Sequence, residues 1–167
     1  MIAQSRNWLN EEGPHAPQTQ VHHLSRIEQL SVCAAATCPV QVLVVDDCNG
    51  PASVLISTIS LLLNREVSVT TLEDHTDALR ALTYYQFDLV VVGLQVNRPL
   101  QLTVLPRVYD QNPQRPLLAV GRNLPRLYQQ YARTYGASDV LNMPTRAADL
   151  KQLVRRMAER YFTFQPV

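Results

Sequence analysis

The chain has 167 residues, 46% of them apolar, and a formal net charge of +1, which suits one globular domain with a sizeable core and excludes a disordered chain. No stretch approaches the ~20 apolar residues of a membrane span, and the N-terminus lacks the cationic start and apolar block of a secretory leader. The small net charge hides an asymmetry. Residues 1–97 carry four Arg against ten Asp and Glu, a balance of −6, while residues 98–167 carry ten Arg and Lys151 against four acids, a balance of +7. An acidic half joined to a basic half speaks to partners more than to fold.

Residues 1–39 are polar and rich in Pro, Gln and Asn, and read as a flexible N-terminal extension. Only Val21 to Val32, with Leu24, Ile27 and Leu30, has the spacing of a short helix. Cys33, Cys38 and Cys48 show no metal-type repeat and are expected as free thiols in a reducing cytoplasm. From residue 40 to 161 the pattern is regular. A buried strand at Gln41–Val45 precedes a helix from about Pro51 to Asn64, whose expected inner face is Val54, Leu55, Thr58, Leu61 and Leu62. Glu66–Thr71 reads as a strand, Thr76–Tyr85 as an amphipathic helix, and Asp88–Val92 as a strand ending at Gly93. Residues 99–111 are expected to be helical, with Pro106 forcing a late start or a kink. A strand at Leu117–Val120, a helix at Leu124–Tyr135 stopped by Gly136, a strand at Val140–Asn142 and a helix at Arg146–Tyr161 complete the series, leaving 162–167 as a tail. Strand and helix alternate five times, which calls for a parallel α/β sheet covered on both faces.

Two strand ends stand out. Val42–Val45 runs into Asp46-Asp47, and Phe87–Val92 runs into Gly93, so an acidic pair meets a position with no side chain at the sheet edge where α/β proteins usually place their sites. With VLVVDD, FDLVVVGLQV, PLLAVG and GASDVLNMP in this order, residues 40–160 resemble the receiver domain of bacterial two-component response regulators. The resemblance implies a flavodoxin-like, doubly wound five-stranded sheet of order 2-1-3-4-5. It also implies the chemistry of aspartyl phosphorylation. An acidic pair binds Mg²⁺, an aspartate on the third strand accepts the phosphoryl group, and a hydroxyl residue, a lysine and a mobile aromatic complete the switch.

Aligned on that pattern, Asp46 and Asp47 match the acidic pair. Gly93 falls at the acceptor, Gly121 at the hydroxyl, Met143 (before Pro144) at the lysine and Val140 at the aromatic, while Asn97 replaces a common proline. Gly93 cannot form an acyl phosphate, and Mg²⁺ deprived of an anionic oxygen binds weakly. The expected reading is a pseudo-receiver, a phosphorylation-independent regulatory module, with no cofactor, no catalytic residue and no metal beyond the weak candidates Asp46 and Asp47. Those two carboxylates are otherwise expected at a loop edge or capping the helix at Pro51, with a pKa raised by mutual repulsion. Met143–Pro144 is expected to be cis on the resemblance alone, with Met143 filling the space of a lysine stem.

The resemblance points to the fourth helix, fifth strand and fifth helix as a partner surface, here Arg122, Arg126, Tyr128, Tyr131, Arg133, Arg155 and Arg156; Arg160 adds to the last helix. The stripe Tyr128, Tyr131, Tyr135 alone would ordinarily face a core. Positive charge on both helices disfavours a symmetric dimer through this face, so any homodimer is expected through the first and last helices or the extension. Two other readings stay open. One is a transcription-linked regulator whose basic half meets nucleic acid, against which no helix-turn-helix segment follows. The other is a small-ligand sensor using the cleft above Gly93 and Gly121. No Gly-rich phosphate loop, nucleophile–base pair or metal spacing among His15, His22, His23 and His75 suggests an enzyme.

Overall fold

In the computed structural model, the described residues are 39–62 and 67–162, all within one unit, Cys38–Val167. The expected extension with its short helix, and the tail beyond Phe162, lie outside them.

The elements are β1 (Val40–Val45), α1 (Pro51–Leu62), β2 (Val67–Leu72), α2 (His75–Tyr84), β3 (Leu89–Leu94), a 3-10 turn (Pro99–Thr103), α3 (Val104–Gln111), β4 (Leu117–Gly121), α4 (Arg126–Thr134), β5 (Asp139–Asn142) and α5 (Ala147–Tyr161). All strands are parallel and stand in the order β2-β1-β3-β4-β5, as expected. β3 and β4 are buried along their whole length, which is why they read as unbroken apolar runs without alternation.

Two cores flank the sheet. α1 and α5 cover one face, with Ala52, Leu55, Ile56, Ile59, Leu153, Val154 and Met157 against Val42, Val44, Val91 and Val120. α2, α3 and α4 cover the other, with Ala78, Leu82, Leu105, Val108 and Ala132 against Leu43, Val90, Val92 and Ala119. Each fully buried Leu or Ile in these layers contributes about 1.5–3 kcal/mol.

The expected inner face of α1 needs correction. Leu61 and Leu62 are 83% and 63% exposed, and the buried stripe is Ala52, Leu55, Ile56 and Ile59. The helix is apolar on more than one face, so spacing alone does not choose between neighbouring stripes. α2 opens on Asp74, whose carboxylate accepts from the Thr76 and Asp77 amides. Pro106 lies in the first turn of α3, after the 3-10 segment, where a missing N–H is harmless. α4 begins two residues later than expected, at Arg126 after Pro125. Past its end Gly136 adopts φ +98°, a conformation that an L side chain resists. No described peptide bond is cis. Met143–Pro144 is therefore trans, the form that an X–Pro bond prefers by about 0.5–1 kcal/mol when no tight turn opposes it.

Candidate functional site

The parallel register sets Val45 beside Val92 and Gly93 beside Val120, so Asp46, one residue beyond β1, comes level with Gly93. Its amide donates to the Leu72 carbonyl, and its side chain turns inward, 3% exposed. Oδ1 accepts from the Asp47 amide at 2.9 Å and Oδ2 from the Ala52 amide at 2.8 Å. Ala52 lies in the first turn of α1, where amides have no partner within the helix. Asp46 thus caps α1 from outside it and places negative charge at the positive end of the helix.

The room for this carboxylate is supplied by two glycines. An ideal Cβ built on Gly93 or on Gly50 would fall on the Asp46 carboxyl group itself. Gly93 therefore leaves no hole where an acceptor aspartate would stand, because the neighbouring aspartate occupies the space. The Asp46 carboxyl is held above its ordinary range, burial being the largest cause, while the amides of Ala52, Asp47 and Ser53 oppose it. The expected rise is present with a different leading cause. Repulsion from Asp47 is the smallest contribution, because the two side chains part company.

Asp47 points outward, where Nη1 of Arg98 meets Oδ2 at 2.9 Å and Oδ1 at 3.1 Å. Arg98 closes the turn after β3, and its amide donates to the Gln95 carbonyl. Buried Gln101 steadies the same turn by accepting from the Gln95 amide at 2.7 Å. Nothing in the strand pattern pointed to Arg98 or Gln101; Arg98 precedes and Gln101 lies within the short 3-10 turn after β3, whose path no periodicity encodes.

Gly121 is filled in a similar way. A Cβ there would approach Leu124 Cδ2 at 2.5 Å and the Leu94 carbonyl oxygen at 2.7 Å. Asn123, at φ 51°, turns the chain so that buried Leu124 lies over the glycine. The Leu124 amide is pinned by Asn142 Oδ1 at 2.8 Å. Met143 is buried in the α1–α5 core, with its amide donating to the Gly121 carbonyl at 2.8 Å. Val140 is packed in the opposite core, and Asn97 sits exposed in the turn.

A hard divalent ion needs several free oxygens at one point. Both Asp46 oxygens are taken by amides, Asp47 is paired with a cation, and among the described residues no group of three His, Cys, Asp or Glu side chains could hold a metal. These residues do not fit a Mg²⁺ site. This edge keeps a groove of about 600 Å³ bordered by Asn49, Pro51, Gln95, Val96 and Arg122, and a second of about 420 Å³ bordered by Asp46, Asp47, Glu73, His75 and Arg98.

Of the expected partner surface, α4 carries Arg126, Tyr128, Tyr131 and Arg133, while Arg122 precedes it and Arg155 and Arg156 lie on α5, against the other face of the sheet. Ala132 is the buried residue of α4, Tyr128 is half-buried and donates to the Val96 carbonyl at 3.0 Å, and Tyr131 and Tyr135 stack outward with centroids 6.2 Å apart. The expectation that this stripe would ordinarily face a core fails for Tyr131 and Tyr135: the short α4 lays little more than Ala132 on the sheet. Exposed Leu127 extends the stripe. Arg122, Arg126 and Arg133 make no ion pair among the described residues, whereas Arg155 pairs with Glu159 and Arg160 with Asp139. The basic character of α5 is thus partly neutralised, and exposed Arg156 makes no ion pair among the described residues.

No protein-family model and no curated protein matches the sequence. Solved structures do match. The Mn²⁺-bound form of response regulator Rcp1 is 15% identical, with a TM-score of 0.63 over 77% of this chain and 100% of its own. A response regulator from Hahella chejuensis is 18% identical, with a TM-score of 0.63 over 77% and 98%. HP1043, an orphan response regulator of H. pylori, is 24% identical, with a TM-score of 0.55 over 73% and 96%. The chain has the fold of response regulator receiver domains. No helix among the described residues is long and apolar enough to cross a membrane.

Proposed function

We propose that this receiver-fold chain is a regulatory module of the response-regulator kind that acts by protein contact, without phosphoryl transfer. One observation carries the reading: the place of an acceptor side chain at Gly93 is occupied by the Asp46 carboxylate, which is committed to the first turn of α1. The remaining pieces agree. Asp47 is neutralised by Arg98, Leu124 lies over Gly121, and Met143 is absorbed into the core. The filling of both glycine positions also weighs against a ligand seated directly above them.

The contact surface in this reading is α4, with Leu127, Tyr131 and Tyr135 as apolar anchors between the free guanidinium groups of Arg122, Arg126 and Arg133. Tyr and Arg are the residue types that dominate binding hot spots, and a partner carrying acidic groups suits their charge. A two-fold dimer through α4 would set these cations against one another, so self-association belongs elsewhere.

The test is incubation of the full chain with acetyl phosphate and Mg²⁺, followed by intact-mass measurement, with a competent receiver domain as positive control. The expected result is an unchanged mass. A gain of one phosphoryl group mapped to Asp46 or Asp47 would sink the proposal.

A further inference from the structure

At the opposite end of the sheet, the loop after α2 and the loop after α3 enclose a cleft of about 620 Å³, bordered by Tyr84, Tyr85, Gln86, Asp88, Gln111 and Arg115 among others. Its volume lies in the range of small-molecule sites. Arg115 is its unusual member. Of the described arginines it alone is not exposed, and it has no ion pair or side-chain hydrogen bond among the described residues.

A guanidinium carries five N–H donors, and here Nη2 is fully buried with no acceptor. Burial pulls the Arg115 pKa below its ordinary value, the mark of a charge removed from water without compensation. The backbone holds it in place: the Arg115 amide donates to the Asn112 carbonyl at 3.1 Å and the Gln114 amide to Asn112 Oδ1 at 3.1 Å. Gln111 is tied across the cleft mouth to the Leu79 carbonyl at 3.3 Å.

We propose that this cleft binds a small carboxylate, with its carboxylate group seated on Arg115. A planar carboxylate matches the guanidinium fork, and Arg115 turns toward the cleft to bring its buried Nη2 onto the ligand as the missing acceptor. Asp88 selects among anions. Its Oδ2 accepts from the Gln41 amide at 2.8 Å, and its charge on the same lining repels anions in proportion to their charge, disfavouring dianionic phosphate more than a singly charged carboxylate. Tyr84 and Tyr85 border the cleft, whose lining is otherwise mainly polar, and a flat ring behind the carboxylate can lie beside them. This site is independent of the α4 surface and of the acidic edge.

The experiment is a titration of the ¹⁵N-labelled full chain with sodium benzoate, and separately with inorganic phosphate at matched ionic strength, followed by amide chemical shifts. The expected result is saturable benzoate shifts confined to residues 82–88 and 111–116, with phosphate weaker. Arg115→Gln should weaken benzoate at least tenfold, Arg115→Lys several-fold, and exposed Arg107→Gln should change nothing. Arg115→Lys retains the charge and serves if Arg115→Gln does not fold. Absence of saturable shifts in those segments, or undiminished binding by a folded Arg115 variant, would overturn the site. Phosphate binding as tightly as benzoate would overturn the carboxylate assignment.

Discussion

Replacing Gly93 by Ala adds one methyl group to a strand residue of ordinary backbone conformation. At an unobstructed site such a change stabilises a protein by about 0.4–1 kcal/mol, because the unfolded chain loses freedom. Here the methyl falls on the Asp46 carboxyl group. The carboxylate has to leave its position, which forfeits the cap on α1, about 1 kcal/mol, and the crowded interior adds about 1–3 kcal/mol of overpacking strain. The expected net effect is a loss of about 1–3 kcal/mol. Asp46→Ala alone removes the cap and leaves the Asp47 and Ala52 amides without acceptors, at about 1–2 kcal/mol. In the double variant the carboxyl group that the methyl meets is gone, so its loss should stay close to that of Asp46→Ala. The two changes should therefore be non-additive by about 1–3 kcal/mol. Urea unfolding followed by far-UV circular dichroism, with equal m-values across the cycle, measures all four corners. A Gly93→Ala protein as stable as its parent, or single losses that add within about 0.5 kcal/mol, would refute the argument.

Gly121 offers a contrast, because the atom its Cβ would meet at 2.7 Å includes the Leu94 carbonyl oxygen: Gly121→Ala should lose about 1–3 kcal/mol and remain destabilising in a Leu124→Ala background, as read by the same urea cycle. Asp46 also makes a pH prediction. Its folded pKa is raised above 3.8, so the fold favours the protonated form; the proton-linked part of its contribution is complete below that value and is lost as pH rises through the higher folded pKa, while the bonds from the Asp47 and Ala52 amides remain. Stability measured from pH 3 upward should fall in the parent relative to Asp46→Asn across that window, and parallel curves would contradict the assigned burial. The Arg98–Asp47 pair is substantially exposed, so Arg98→Ala should lose less than about 1 kcal/mol, and the difference should vanish in 1 M NaCl.

The sheet was legible in the sequence because burial on both faces writes β1, β3 and β4 as apolar runs, and because Pro106 and Gly136 punctuate the helices by their backbone restrictions. The stripe of α1 was not, since Leu61 and Leu62 are as apolar as Ile56 and Ile59, and only packing against the sheet and α5 separates them. At the site, the pattern of carboxylate and glycine was visible, and so was the option of a capping aspartate. Its geometry was not. That one carboxylate shares its space with Gly50 and Gly93 depends on the turn of residues 46–50. That Arg98 reaches Asp47 depends on a loop conformation held by Gln101. Side-chain direction beyond a strand end is a tertiary property, and the local spacing of residue types carries no record of it.

The Asp46 cap also bears on which neighbouring sequences this fold can reach. An aspartate introduced at residue 93 enters a space already claimed, and evicting Asp46 uncaps α1 before any new chemistry begins. A serine introduced at residue 121 meets Leu124 and a backbone oxygen in the same way. Each of these two changes is harmful until another has been made, so single substitutions at residues 93 and 121 lead downhill from this sequence. At these two positions the packing acts as a ratchet against larger side chains.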